Sequence, residues 1–272
     1  MSASGSMPAL RWAWLGTVGY QDAWQLQREV ALARRSGDLV DDAVLLLDHP
    51  PVYTMGRQGE ARHLGAGPDA LAAAGAEFVE VDRGGSVTFH GPGQLVAYPI
   101  VRLSSVFPIP RHPAHGDVDR YLRALEASLI ATAAIYDVAV ARRPPWTGVW
   151  AGDRKLGAIG VKLAGGVTTH GVALNVATDL SWFDRIVPCG IEGAGVASLE
   201  SLGAPGHTPA EVAPVLAAAL ATAFGLRLEV AGPLSALLER LPAATAAGAA
   251  PSSRAAEHSR TGVPLCKRDT DL

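Results

Sequence analysis

Leu10, Trp12 and Trp14 alternate with Arg11 and Ala13, the period-two rhythm of a half-buried strand. From Asp22 to about Arg35 the period lengthens, with Trp24, Val30 and Ala31 set among charges as on an amphipathic helix. Ala43–Leu47 is an unbroken apolar run, which predicts a strand buried on both faces. Pro50 and Pro51 stop it by removing donors and restricting their predecessors. Val52–Thr54 resumes as a strand. Pro68 opens a short helix that ends at Gly75, and Glu77–Val81 again alternates. The clearest helical stripe is Val118, Leu122, Leu125, Leu129 and Ala133, predicting a helix over Val118–Tyr136. Short strands follow at Val149–Trp150, Leu156–Leu163 and Val172–Val176. Pro209–Phe224 reads as a helix closed by Gly225, Leu226–Val230 as a strand, and Leu234–Leu241 as the last ordered element.

Hairpin-like groups of strands with helices between them, and no regular β-α-β alternation, predict an α+β class. The architecture expected is a single domain with a mixed or antiparallel sheet flanked by helices. With 49% apolar and 18% charged residues, the 272-residue chain has the composition of a packed protein. A net charge of -3 argues against a surface built for nucleic acid. No run of 18 apolar residues occurs and the first residues lack a signal-peptide core, so the expectation is a cytoplasmic protein without a membrane partner. Cys189 and Cys266 have no paired spacing and the histidines are scattered; neither a disulfide framework nor a metal site is expected, and no cofactor.

Three segments are wasteful for stability alone. Arg83-Gly84-Gly85-Ser86-Val87-Thr88-Phe89-His90-Gly91-Pro92-Gly93-Gln94 is rich in glycine, which weakens a regular element and suits close approach of backbone to a ligand. The plainer reading is a tight bulged hairpin; Arg83, Thr88 and His90 at strand spacing favour a binding wall. Lys155-Leu156-Gly157-Ala158-Ile159-Gly160-Val161 and Thr169-His170-Gly171-Val172-Ala173 carry small residues on consecutive strands, leaving room for an apolar ligand. Cys189 stands between Pro188 and Gly190, on a turn, whereas inert cysteines prefer apolar interiors.

Together with Leu45–Arg57, these segments resemble the lipoyl (octanoyl) transferase family. Arg83–Gln94 follows its pattern R-G-G-x-x-T-F/Y-H-G-P-G-Q, and Lys155 precedes Cys189 by the 34 residues that suit its catalytic pair. The resemblance runs from about Trp12 to Leu241. It implies a fold similar to the catalytic domains of lipoate and biotin protein ligases, over residues 10–242; by composition, residues 1–9 are expected to be a flexible N-terminus and 243–272, rich in Ala, Gly, Ser and charges, a disordered tail. It implies Cys189 as the acyl-thioester nucleophile and Lys155 as the residue that lowers its pKa. The substrate-binding segments carried over are Arg83, Gly84, Gly85, Ser86, Val87, Thr88, Phe89 and His90, with Ala158, Ile159 and Gly160, and Gly171, Val172 and Ala173. The implied donor is octanoyl-acyl carrier protein. The implied acceptors are lipoyl domains of 2-oxoacid dehydrogenase E2 subunits and the glycine cleavage H protein, in the first step of lipoate assembly on protein.

A thioester donor needs no nucleotide, and the chain has no G-x-x-x-x-G-K-S/T loop. His90 and His170 are expected to orient the acyl carbonyl or shape the pocket. Arg142 and Arg143, with Arg111 and Arg154, are the candidate docking surface for an acidic carrier. Three other readings stay open from the residues: an ATP-dependent lipoate or biotin ligase, a non-catalytic lipoyl-domain or carrier binder, and a hydrolase pairing Cys189 with His170 or His90.

Overall fold

The computed structural model describes residues 8–65, 67–187 and 194–230; Cys189, the segment Leu234–Leu241 and the tail from 243 lie outside them. In chain order, β1 (Ala9–Thr17), α1 (Tyr20–Ser36) and β2 (Asp42–Asp48) form a β-α-β unit with parallel strands. β3 (Val52–Met55), α2 (Pro68–Ala73), β4 (Glu77–Glu80) and β5 (Val87–His90) follow, then β6 (Gln94–Ile100), α3 (Leu103–Val106), β7 (Pro108–Ile109), β8 (His112–Gly116) and α4 (Val118–Ile135). The remainder is β9 (Ala141–Arg143), β10 (Trp146–Ala151), β11 (Arg154–Ala164), β12 (Val167–Asn175), β13 (Gly195–Val196), α5 (Pro209–Phe224) and β14 (Arg227–Val230).

The large sheet runs β14-β1-β2-β6-β12-β11-β10-β9, with β13 added on β11, and β4-β3-β5 form a small second sheet. This is the expected mixed sheet flanked by helices, except that the chain opens on a parallel crossover instead of a hairpin. The buried strands read as apolar runs because both faces are covered. On β2, Val44 and Leu46 pack with Leu125, Leu129, Leu216 and Leu220 of α4 and α5. Ala43, Leu45 and Leu47 pack on the opposite face with Leu26 and Val30 of α1. The helices α4 and α5 begin where their caps dictate. Asp117 accepts from Arg120 N at the start of α4. Thr208 and Glu211 form a reciprocal capping box before Pro209, with Gly225 left-handed at the other end of α5.

The central strand β6 is not evident from the sequence pattern. Its glycine-rich approach reads as loop, and Pro99 argues against an interior strand. The sheet accommodates Pro99 because β12 pairs with β6 only as far as Val172↔Ala97. At that point Thr168 Oγ1 donates to Pro99 O across 2.9 Å.

Arg142 is tied to the body of the fold while its side chain stays 40% exposed. It donates to the fully buried carboxylate of Glu126 on α4 at 2.8 Å, and Arg123 donates to the same oxygen at 2.6 Å. The other Glu126 oxygen accepts from Gly148 N at 3.2 Å, so one side chain pins β9 and β10 onto α4. Arg143 lies over the rings of Trp146 and Trp150, 4.9 and 5.1 Å from their centroids. Glu126→Ala strands a buried N–H and two cations and is expected to lower stability by about 2–3 kcal/mol. Arg142→Ala is expected to lose only about 1 kcal/mol, because Arg123 still reaches the carboxylate. Urea unfolding of both variants checks the ranking, and equal losses would contradict it.

Candidate active site

A cavity of about 320 Å³ lies between the small sheet and the face of the large sheet that α1 covers, at the lower end of the usual size for ligand pockets. Its floor is the paired stretch Ala158↔Ala173 to Gly160↔Gly171 of β11 and β12. These side chains are small enough to leave a trench where larger residues would fill the sheet surface. The loop Arg83–Ser86 and Thr88 and His90 of β5 form its roof. A Cβ on Gly160 would stand 2.9 Å from Arg83 Cδ, so glycine there sets how closely roof and floor approach.

The roof is shaped by Arg83. Its guanidinium donates to Gly84 O at 3.0 Å, Ser86 O at 2.9 Å, and Thr54 O and Oγ1 at 2.7 Å each. Gly84 N donates to Val161 O at 2.9 Å, tying the loop to β11. From Thr54 a chain of hydrogen bonds continues beneath the trench. His90 Nε2 faces Thr54 Oγ1 at 3.4 Å, His90 Nδ1 donates to Gln94 Oε1 at 2.7 Å, and Gln94 Nε2 donates to Asn175 Oδ1 at 2.9 Å. Asn175 Nδ2 donates to Ala197 O at 2.9 Å, and Ala197 N donates back to Lys155 O at 2.9 Å. Arg83, His90 and Gln94, the polar residues of the glycine-rich motif, thus frame the site through each other.

Lys155 lies at the end of this network, on the rim of the trench. An extra residue on β11 places Val149 opposite Gly157 but Trp150 opposite Lys155. This bulge separates Leu156 and Gly157, packed toward Val149 and Leu129 of α4, from Lys155, which lines the cavity together with Ala158. The lysine is 8% exposed, with Nζ 5.1 Å from the centroid of Trp150. Val187 N donates to His63 O at 2.8 Å just before the segment that carries Cys189. After that segment, Gly195–Val196 pair with Arg154–Lys155.

Of the fourteen substrate-binding residues expected from the sequence, all but Phe89 line this cavity. The ring of Phe89 takes the other face of β5, stacked on Trp182 at 5.1 Å and packed with Tyr53 and Phe183. Strand alternation explains the correction, since Thr88 and His90 point one way and Phe89 the other. Tyr20, Tyr98, Leu122 and Trp146 also line the cavity. They come from four separate elements, and nothing local in the sequence marks them. Among the described residues no group of His, Cys, Asp or Glu could hold a metal, and no helix is long and apolar enough to cross a membrane.

Residues 19–221 match the family model of the lipoyl protein ligase A/B catalytic domain. The chain is 52% identical to an octanoyltransferase of Rubrobacter xylanophilus, over 68% of this chain and 80% of that one. It is 49% identical to an octanoyltransferase of Chloroflexus aggregans, over 78% and 94%. The chain belongs to the octanoyltransferase family. Octanoyltransferases are acyltransferases, and the fold is that of lipoate protein ligases. A bipartite lipoate protein ligase of Thermoplasma acidophilum, solved with its E2 lipoyl domain, superposes with a TM-score of 0.61 at 15% identity, over 89% of this chain and 94% of that one.

In this octanoyltransferase chain the rings of Tyr20, His90, Tyr98 and His170 wall the cavity, and His49 packs behind them against Tyr20, His90 and Tyr98. Burial pushes His49 and His170 down to about 4 and His90 well below its ordinary value. Burial also raises Tyr20 and Tyr98. His49 donates from Nδ1 to Val18 O at 2.6 Å and accepts from Tyr98 Oη at 2.7 Å, a pattern that requires the neutral ring. Unfolded, the three histidines take up protons near pH 6.5; folded, His49 and His170 do not until about pH 4, and His90 is held down by burial as well. Stability is therefore full above pH 6.5 and falls with acid through that window, by about 1.4 kcal/mol per pH unit for each imidazole that stays unprotonated. Urea unfolding followed from pH 7.5 to 4.5 tests this; a flat profile between 6.5 and 4.5 would contradict it.

Proposed function

We propose that the chain transfers an octanoyl group from octanoyl-acyl carrier protein to the target lysine of lipoyl domains, in the cytoplasm, through a thioester on Cys189. In the first step the Cys189 thiolate attacks the donor carbonyl and the bond to the pantetheine sulfur breaks. The Lys155 ammonium gives that departing sulfur its proton. In the second step the acceptor amine attacks the Cys189 thioester, neutral Lys155 takes the ammonium proton, and the Cys189 thiolate leaves. An ammonium beside the thiol favours the thiolate, without which little nucleophile exists at neutral pH.

The observation that carries this reading is Lys155 itself, buried on the rim of an acyl-sized trench, with the chain that bears Cys189 returning beside it as β13. Burying the six methylenes of an octanoyl chain offers about 5 kcal/mol at roughly 0.8 kcal/mol each. Backbone N–H groups of the glycine segments are the candidate donors to the tetrahedral oxyanion. The hydrolase reading is weakened at His90, whose Nδ1 donates to Gln94 Oε1 and whose basicity is lowered by burial. Acceptors are expected among E2 subunits of 2-oxoacid dehydrogenases and the glycine cleavage H protein; the Thermoplasma ligase was itself solved with an E2 lipoyl domain.

Incubation with octanoyl-acyl carrier protein and an apo lipoyl domain, without ATP, is expected to add one octanoyl group to the domain and transiently to the Cys189 peptide, read by intact and peptide mass. Lys155→Met is expected to slow transfer at least ~10²-fold and to move alkylation of Cys189 to higher pH. An adduct on Cys266 alone, full activity in Cys189→Ala, or a requirement for ATP would overturn the proposal.

A further inference from the structure

Away from Lys155, the trench ends at a side chain to which the two steps above give no part. β11 and β12 stay paired from Ala158↔Ala173 to Val161↔His170, so His170 lies about 10 Å along the strand from Ala173 and about 20 Å from the level of Lys155. His170 lines the cavity and is 1% exposed. An extended eight-carbon acyl chain is about 9 Å long at ordinary carbon–carbon geometry. The floor from Ala158↔Ala173 to His170, about 10 Å by strand rise, has that length.

The ring is there because the sheet gives way. Pro99 on β6 has no N–H to offer, the β6–β12 ladder ends before it, and His170 adopts φ 55°, the left-handed region that side chains seldom occupy. Gly171 makes the turn possible, since a Cβ there would overlap Ala97 O. The backbone N–H of His170 finds Gln27 Oε1 of α1 at 2.7 Å. Its Nε2 donates to Asp82 Oδ1 at 2.9 Å, and Asp82 is held in turn by Lys162. The rings of Trp24 and Tyr98 flank it, with centroids at 6.0 and 6.4 Å. Asp82 and Lys162 are 40% and 33% exposed, so the imidazole separates the trench from a solvated ion pair.

We infer that His170 is the stop that sets acyl-chain length: the end of an eight-carbon chain abuts its ring, and longer chains must displace it. The inference rests on the octanoyl transfer proposed above. A ring fixed at backbone, carboxylate and both faces cannot swing aside as a solvent-facing side chain would. Shortening it opens the trench toward the Asp82–Lys162 surface.

The test compares N-acetylcysteamine thioesters of six-, eight-, ten- and twelve-carbon acids as donors, with an apo lipoyl domain as acceptor. The variants are His170→Asn and His170→Gly, both residue types that tolerate the left-handed backbone. The wild type is expected to prefer eight carbons. In either variant the twelve-to-eight-carbon ratio of kcat/KM is expected to rise at least about tenfold. An unchanged ratio in a variant that unfolds cooperatively overturns the stop, whatever happens to the overall rate. If the wild type transfers no acyl group, the transfer proposal fails separately, and calorimetric binding of the free six- to twelve-carbon acids decides the stop alone. Wild-type affinity that keeps rising beyond eight carbons would then overturn it.

Discussion

Arg83 is 7% exposed, and its guanidinium reaches Gly84 O, Ser86 O and both oxygens of Thr54. A charge this deep is tolerated only when its donors are met, so the backbone around it has little freedom. Carbonyls of the glycine loop must turn inward toward the cation, and β3 must supply Thr54. Gly160 must leave room for the arginine stem. The same contacts hold the small sheet at a fixed height over β11 and β12, and that height is the depth of the trench. Through Thr54, His90, Gln94 and Asn175 the constraint extends to Ala197 and the strand that returns beside Lys155. Roof, floor and lysine are thereby positioned by one connected set of hydrogen bonds.

The chemistry gains from what surrounds the trench. A thioester carbonyl held among uncharged rings and small apolar side chains sits in a medium where each oriented donor counts for more than in water. Burial keeps His90 and His170 neutral, so these two rings add hydrogen-bonding groups to the wall without adding charge to that of Arg83. In the proposed mechanism acyl length and reactivity are set at opposite ends of one channel: at His170, where the sheet breaks, and at Lys155, where β11 bulges. Both departures from regular strand geometry occur on the pair of strands that forms the floor.

Much of the fold is legible in the sequence where one physical signal dominates. The stripe of α4, Pro209 and Gly225 at the ends of α5, and the apolar run of β2 each coincide with the element they suggest. β6 is hidden because its glycine-rich entry and Pro99 both argue locally for loop, while pairing on two sides overrides them. Within the site, the small residues of β11 and β12 and the glycine loop are conspicuous, since their composition sacrifices stability. The structural task of Arg142 is hidden, because exposed arginines before a Pro-Pro pair give no hint that Glu126, sixteen residues earlier, is buried and needs a partner. Phe89 misleads: it belongs to the motif by position and to the core beneath by strand parity. Tyr20 and Tyr98 carry no local signal, since only the tertiary fold brings α1 and β6 to the same cavity.

The central claim is that the acyl chain lies in the trench floored by Ala158, Gly160, Gly171 and Ala173. Ala173→Leu fills that floor at its Lys155 end, which every acyl chain must pass, and the most direct measurement is kcat/KM of the variant for an octanoyl thioester. Losing the burial of about four methylenes at roughly 0.8 kcal/mol each predicts a fall of about 10²-fold. Octanoyl transfer undiminished in a folded variant would contradict the account.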